Sequence, residues 1–564
     1  MIHPGEKMGN EYDLSEEFRE LCVACRRGDM ELVDKYISSG INLNQMDEWD
    51  YSPLILASIC GHEDVVKLLL EKGCIVSRDT FEGSRAIYGA LNDSIRSLLL
   101  SYDITKAVDV TQPFASHISS LFLKPKFVSS DLILKLPDGD ISRVHRFMLT
   151  SMSDYFRQNI DTLLAESKSR YCIDTTAPGF PLADFSASSW RFLVDYMYLD
   201  PKLDLTNVEV DDLVELARSV ELPDLASSLI RISRQKTRAE QAKVKNEVQR
   251  QMCEIARGKL KRFVYDQILR RALVVKKEDG PSEGEGEDID TLPGAQKRHL
   301  VEFSGSDVIL RVDLGENYAY YPVHRAIISR SEYFDTLFQS SFADTSAFED
   351  ATVPDLGIID KEFFLRNPET IPVVSLPTSP SNDIEGQNLQ LVEILLCFLY
   401  FDNAEIPSEL AMDTLVLADS LFIDRLKTMA AIAITQIKDY DEEGISLYDI
   451  LRVSWQARVQ RLETHVAKII SENLPRYLSD PEFMDIVRES AERIQAREDY
   501  DTIELIADIK FYLRKKYFID DDEEVLDPTI KGEIEDENYS QRKYMYQQEL
   551  DSLYMLVGKL GLLA

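Results

Sequence analysis

The sequence predicts a multidomain chain: an all-α solenoid first, two α+β modules in tandem, and a helical region towards the C-terminal end. Three observations predict it. A 33-residue period runs through residues 21–90, a different pattern occurs twice further on, and the residues after that follow helical spacing. At about 100–200 residues per domain, 564 residues allow three to five domains.

Composition bounds the function. With 44% hydrophobic and 29% charged residues, the chain has material for several globular cores. Its net charge of −36 repels phosphate backbones and anionic membrane surfaces, which argues against nucleic-acid and membrane partners. Seven cysteines are scattered at 22, 25, 60, 74, 172, 253 and 397 without a framework spacing, as in a reducing compartment. Met1 to Glu6 carries no signal-peptide apolar core, and no uncharged apolar run approaches the ~18 residues of a membrane span. The expectation is a cytoplasmic protein, a nuclear one, or both.

The solenoid, residues 14–103, is set by the 33-residue offset. It maps Gly28 to Gly61, Gly40 to Gly73, Leu21 to Leu54, Ala24 to Ala57, Val33 to Val66 and Ile37 to Leu70. Ser52 and Pro53 start a helix as cap and first residue, and Gly61 ends it. Val65 to Leu70 forms a second, apolar helix ended by Gly73. One such pair cannot bury its own apolar faces, so pairs must stack. The unit Ser52-Pro53-Leu54-Ile55-Leu56-Ala57 resembles the ankyrin repeat. The resemblance implies that inter-repeat tips touch partners, which makes Trp49, Tyr51 and Phe81 candidates for holding a protein substrate. The alternative is that Trp49 and Tyr51 pack on the neighbouring repeat.

The α+β modules, residues 117–235 and 299–435, share four elements in order. Ser130-Asp131-Leu132-Ile133-Leu134 matches Ser306-Asp307-Val308-Ile309-Leu310, and each strand enters a hairpin turning at Gly139 or Gly315. Val144-His145-Arg146 matches Val323-His324-Arg325, and Ser153-Asp154-Tyr155-Phe156 matches Ser331-Glu332-Tyr333-Phe334. Apolar helices ending at Tyr198 and Tyr400 follow. This order resembles the BTB (POZ) domain, and the chain is similar to ankyrin-repeat and BTB/POZ domain-containing proteins.

An aspartate opening a buried strand is costly unless paired. The hairpin folds Arg146 back towards Asp131 and Arg325 towards Asp307, and the resemblance implies that each pair of charges meets in a pocket. His145 and His324 read as structural. In BTB adaptors that bind cullin-3, an apolar residue follows the phenylalanine of Tyr-Phe by eight positions and an acid by ten. Phe156 leads in this way to Leu164 and Glu166. Phe334 leads to Phe342 and Asp344, preceded by Leu337 and Phe338, with Asp in place of the usual Glu. The resemblance implies a cullin-3-type scaffold as partner, while the same pattern also suits an ordinary amphipathic helix. Two such modules in one chain can pair with each other, or chains can form a homodimer.

The remaining segments are connectors and helices. Residues 236–298 join the modules. Within 234–277 there are 14 Lys/Arg against 4 Asp/Glu on a helical pattern, and residues 276–298 form an acidic Gly-Pro-Ser-Glu linker. A proline-bearing stretch, about 343–388, interrupts the second module as a long loop, disordered or partner-binding. Residues 436–520 resemble the helical BACK region that follows many BTB domains, and residues 521–564 hold an acidic stretch and a last helix from Gln541 to Leu560.

No enzyme emerges. Cys22 and Cys25 fall at small core positions of a helix, and His62-Glu63 lacks the second histidine of a zinc protease. No phosphate loop, dinucleotide-binding glycine pattern or nucleophile elbow occurs, so no catalytic residue, cofactor or metal is expected. The function expected is a non-catalytic adaptor that brings protein substrates to a cullin-3 RING ubiquitin ligase. The alternatives are a scaffold without a ligase, or a nuclear or ribonucleoprotein regulator using helix 234–277.

Overall fold

The computed structural model describes residues 15–38, 41, 43, 45–47, 49–71, 74, 81–101, 113–123, 125–200, 205, 208–234, 238–277, 292–339, 343–377, 385–440, 443–495, 503–519 and 537–562. Helix pairs open the chain: Glu16–Arg27 with Met30–Ser38, Pro53–Cys60 with Glu63–Glu71, and Phe81–Tyr88 with Asp93–Ser101. Ser52 Oγ accepts the Ile55 N–H at 3.3 Å, and Pro53 opens the helix. Gly28 ends its helix at φ +74°, and a Cβ there would lie 2.5 Å from the His62 ring. Conformation and packing therefore both require glycine. Leu21, Val33, Leu54, Val66, Leu69, Ile87 and Leu99 interlock in a core of their own.

The first α+β module contains β1 (Leu132–Lys135), β2 (Ile141–Val144) and β3 (Cys172–Asp174). β1 and β2 form an antiparallel hairpin, β3 runs parallel to β1, and the order is β2-β1-β3. A 30-residue helix, Arg238–Gln267, then leads to β4 (Leu273–Lys276). The second module holds β5 (Val308–Asp313), β6 (Asn317–Val323), the short hairpin β7 (Thr352–Val353) and β8 (Ile358–Ile359), and β9 (Val373–Ser375). Its order is β4-β6-β5-β9, with β5 and β6 antiparallel and β9 parallel to β5, so β6-β5-β9 repeats β2-β1-β3.

The stretch 343–388 corrects the sequence expectation. Instead of an unstructured interruption, it supplies β9, the counterpart of β3, as well as helices Ala343–Ala351 and Lys361–Arg366. Phe348, Ile358, Ile359, Phe364 and Val374 are buried, and that apolar content outweighs the prolines. Residues 378–384 lie outside the described residues, as does most of the acidic linker.

The basic helix buries Val248, Met252, Ala256, Leu260 and Val264, four residues apart, and the last four, with Ile268 just past its end, lie in the core shared by both modules. Beyond the second module, helices Leu447–Ala457, Gln460–Glu472, Pro481–Gln495 and Glu504–Tyr517 pack together. The last helix, Glu537–Lys559, begins before Gln541 and buries Leu550, Leu553, Leu556 and Val557 in the same core. It therefore belongs to this body rather than to a separate tail. Ala430, Ala431 and Ile434 of helix Asp424–Thr435 join that core too, so no gap follows residue 435.

Candidate protein-interaction surfaces

A buried His–Tyr bracket stands at the heart of each module. The His145 backbone N–H donates to Tyr198 Oη at 2.7 Å, and the ring Nδ1 lies 2.9 Å from the same oxygen. His324 and Tyr400 repeat this, at 2.9 Å for both contacts. His324 Nε2 lies 3.2 Å from the Ser304 carbonyl, which can only accept, so Nε2 carries the proton and Nδ1 accepts from the tyrosine hydroxyl. Burial pushes the His145 ring down to about 3 and the His324 ring well below the usual histidine range. The sequence marks Tyr198 and Tyr400 as ends of recurring apolar helices but gives them no partner. Their signal was the recurrence of a helix-ending Tyr after each His-Arg pair.

The two modules meet through these brackets. The Phe147 ring centroid lies 4.2 Å from that of His324, and Phe263 of the connecting helix lies 5.7 Å from His324 and 6.2 Å from Phe147. Around this apolar centre, His117 Nε2 donates to the Ala326 carbonyl at 2.7 Å, Lys126 pairs with Asp335 at 2.6 Å, and Arg170 pairs with Glu362 at 3.1 Å. The Ile359 N–H donates to the Ser130 carbonyl at 2.8 Å. Side chains of both modules form one continuous core.

The expected Asp–Arg pairs have a different geometry. Asp131 Oδ1 accepts the backbone N–H of Arg146 at 2.7 Å, and Asp307 Oδ1 accepts that of Arg325 at 2.8 Å. Each aspartate thus holds the first turn of the following helix by its backbone. The guanidinium groups go elsewhere. Arg146 reaches Asp161, while Arg325 reaches the Val128 carbonyl and lies over the Phe348 and Phe127 rings at 3.7 and 4.3 Å. Lys361 Nζ lies 3.5 Å from the second Asp131 oxygen. The residue types were legible, but a backbone amide that lies nearer than the side-chain charge takes the carboxylate.

The cullin-type residues divide between core and surface. Helix Asp154–Glu166 buries Leu164, 7% exposed, and exposes Glu166. Helix Glu332–Gln339 buries Phe338, 9% exposed, with Leu337 half-buried against the core. Phe342 lies outside the described residues, as does the side chain of Asp344. An apolar anchor presented to solvent is therefore not what Leu164 and Phe338 provide, because the helix turns them inwards to fill the module. On the solenoid, Trp49 is 62% exposed, whereas Tyr51 is half-buried beneath the Arg85 guanidinium, 4.0 Å from its ring. Phe81 opens a helix, and its side chain lies outside the described residues.

Between the modules lies a cleft of about 570 Å³, lined by Arg146, Arg157, Lys259, Arg262 and Lys361 beside Asp154, Asp161, Glu221, Asp224 and Asp266. Of its serine and threonine hydroxyls, Thr150, Ser151 and Ser304 donate back to helix carbonyls at 3.0, 3.1 and 3.3 Å, and Ser306 lies 2.8 Å from Ser304, so none is paired with a general base. Among the described residues, no group of three or more His, Cys, Asp or Glu side chains could hold a metal ion. Cys22 and Cys25 are buried, and burial raises the Cys25 thiol far above its usual range, as suits packing. No helix among the described residues is long and apolar enough to cross a membrane.

Comparison with known proteins agrees with this architecture. An ankyrin-repeat family model matches residues 21–110 in three copies, and the BTB/POZ domain model matches residues 120–237. Over 511 residues the chain is 34% identical to "Ankyrin repeat-containing protein YIL001W" of Saccharomyces cerevisiae, spanning 90% of this chain and 91% of the relative. Over 554 residues it is 34% identical to "BTB/POZ domain-containing protein 3" of Schizosaccharomyces pombe, spanning 96% and 90%.

Proposed function

Because the chain belongs to the family of ankyrin-repeat and BTB/POZ-domain proteins, we propose that it is a non-catalytic adaptor recruiting protein substrates to a cullin-3-type ubiquitin ligase. On this reading the second α+β module is a divergent BTB domain, the helices after residue 435 are its BACK-like extension, and the ankyrin array takes the substrate. The observation that carries the adaptor reading is the fusion of two modules of the same strand order into one core, beside a solenoid with its own core and an exposed Trp49. Such a chain contributes proximity: it raises the local concentration of one bound protein beside another. The cullin contact rests on the helix Asp154–Glu166, whose end offers Glu166 to solvent above the buried Leu164.

Co-purification with cullin-3 tests the ligase reading. Glu166→Lys is the clean probe, because a charge at Leu164 would break the core. Binding should fall about tenfold or more, because reversing a rim charge sets like charges against each other at a small docking site. A full chain that ignores cullin-3 at micromolar concentration instead supports a scaffold without a ligase, the reading favoured by the inward packing of Leu164 and Phe338. The basic helix supports a connector rather than a nucleic-acid site. Its apolar stripe is buried, and Lys259 donates to the Met152 carbonyl at 2.6 Å.

A further inference from the structure

The two modules differ at one sheet edge. In the second, the Leu314 N–H donates to the Asn317 carbonyl at 2.9 Å, which sets the hairpin phase. By alternation, Tyr318 and Tyr320 then point their backbone groups away from β5. β4 meets those groups antiparallel, with Leu273 opposite Tyr320 and Val275 opposite Tyr318. At its end, the Lys277 N–H donates to the Glu316 carbonyl at 2.9 Å, and the Lys277 ammonium pairs with Asp313 at 2.7 Å.

In the first module the Leu136 N–H donates to the Asp140 carbonyl at 2.8 Å, so Ile141 and Arg143 of β2 point outwards in the same way. Pairing Val144 with Leu132, as Val323 pairs with Val308, makes Ile141 the counterpart of Tyr320 and Arg143 that of Pro322. Among the described residues, the backbone groups of Ile141 and Arg143 have no hydrogen-bond partner beyond the hairpin. Beside this edge lies a recess of about 560 Å³, lined by Leu121, Phe122, Phe127, Val128 and Gly357. Ile141 is 48% exposed. At the turn end of the edge stand Asp138 and Asp140, held by Arg191.

The geometry points to β2 as a vacant strand-addition site for an extended segment of a partner protein. That segment would run antiparallel to β2, carry apolar side chains at alternate positions, and end in a cation. β4 supplies the template. It occupies the equivalent edge with Leu273 and Val275 on one face, and its C-terminal end reaches the hairpin turn, where Lys277 meets an acid. On β2 the same polarity brings the terminal cation to Asp138 and Asp140. Main-chain bonds supply the affinity, and the apolar recess selects the side chains. The site lies on a strand, apart from helix Asp154–Glu166, so its fate is independent of cullin binding.

The test is a fluorescently labelled synthetic peptide with the sequence of residues 271–277, titrated with the full chain. We expect saturable binding of one peptide per chain, with slowed amide exchange confined to residues 139–144. Ile141→Pro removes an outward N–H without touching a bond to β1, and should weaken binding about tenfold or more. If that variant fails to fold, the exchange pattern of the unaltered chain still locates the site. Three results would overturn the proposal: no saturation at millimolar peptide, binding with slowed exchange elsewhere, or a concentration-dependent dimer of the chain lost in Ile141→Pro.

Discussion

At the residue scale, buried polar groups fix the modules and set a pH dependence. His117, His145 and His324 are neutral in the fold, with His117 and His145 pushed down to about 4 and about 3 by burial. An unfolded histidine titrates at about 6.5, so below that pH the unfolded chain binds more protons than the folded one. The stability these groups provide is complete above pH 6.5 and is lost as pH falls. The loss is about 1.4 kcal/mol per pH unit for each histidine. Asp195 acts in the opposite sense. Burial and the neighbouring Asp200 raise it to about 6, so it favours the fold as it protonates. Burial pushes down a fourth histidine, His465, and raises Asp413 and Asp508 as it raises Asp195. Between pH 7 and pH 6 the histidines lead, so thermal unfolding should shift to lower temperature over that interval, and an unchanged midpoint would contradict their burial. Tyr400→Phe removes the hydroxyl that meets the His324 backbone N–H and ring Nδ1, and should cost about 1–3 kcal/mol in denaturant unfolding. Asp402 is fully buried among Arg257, Arg330 and Arg425, which tie the connecting helix to the second module. Asp402→Ala leaves the buried Arg330 with only the Phe398 and Leu399 carbonyls and no counter-charge, and should cost about 3–5 kcal/mol, measured in the same way.

At the element scale, repetition carried the sequence reading. The solenoid was legible because its period is set by Gly28, Gly61 and the Ser52-Pro53 start, each of which acts locally. The modules were legible because hairpin, His-Arg and Ser-x-Tyr-Phe recur in order. Long-range partners were not. Leu164 and Glu166 look alike as a docking pair in sequence, and only the rotation of helix Asp154–Glu166 separates core from surface. The stretch 343–388 read as a loop because β9 is three residues long and gains its meaning only beside β5. The basic helix concealed its role because its charges outnumber its apolar stripe, yet the stripe is what packs. Leu260→Ala should therefore destabilise both modules together, by about 2–5 kcal/mol, in one cooperative transition. Two separate transitions would show that the helix couples nothing.

At the scale of the whole molecule, the two α+β modules pack against each other within one chain. Phe147 against His324, with Phe263 beside them, forms the apolar centre, and His117–Ala326 and Lys126–Asp335 frame it. A protein assembled this way keeps its ankyrin array, the end of helix Asp154–Glu166 and the β2 edge for other proteins. The most direct test is the mass of the purified chain in solution across micromolar concentrations, by sedimentation equilibrium. Pairing within the chain predicts a single species of 64.5 kDa at every concentration. A species of about twice that mass that persists on dilution, and that Phe147→Ala dissociates, would place the pairing between chains and contradict the account.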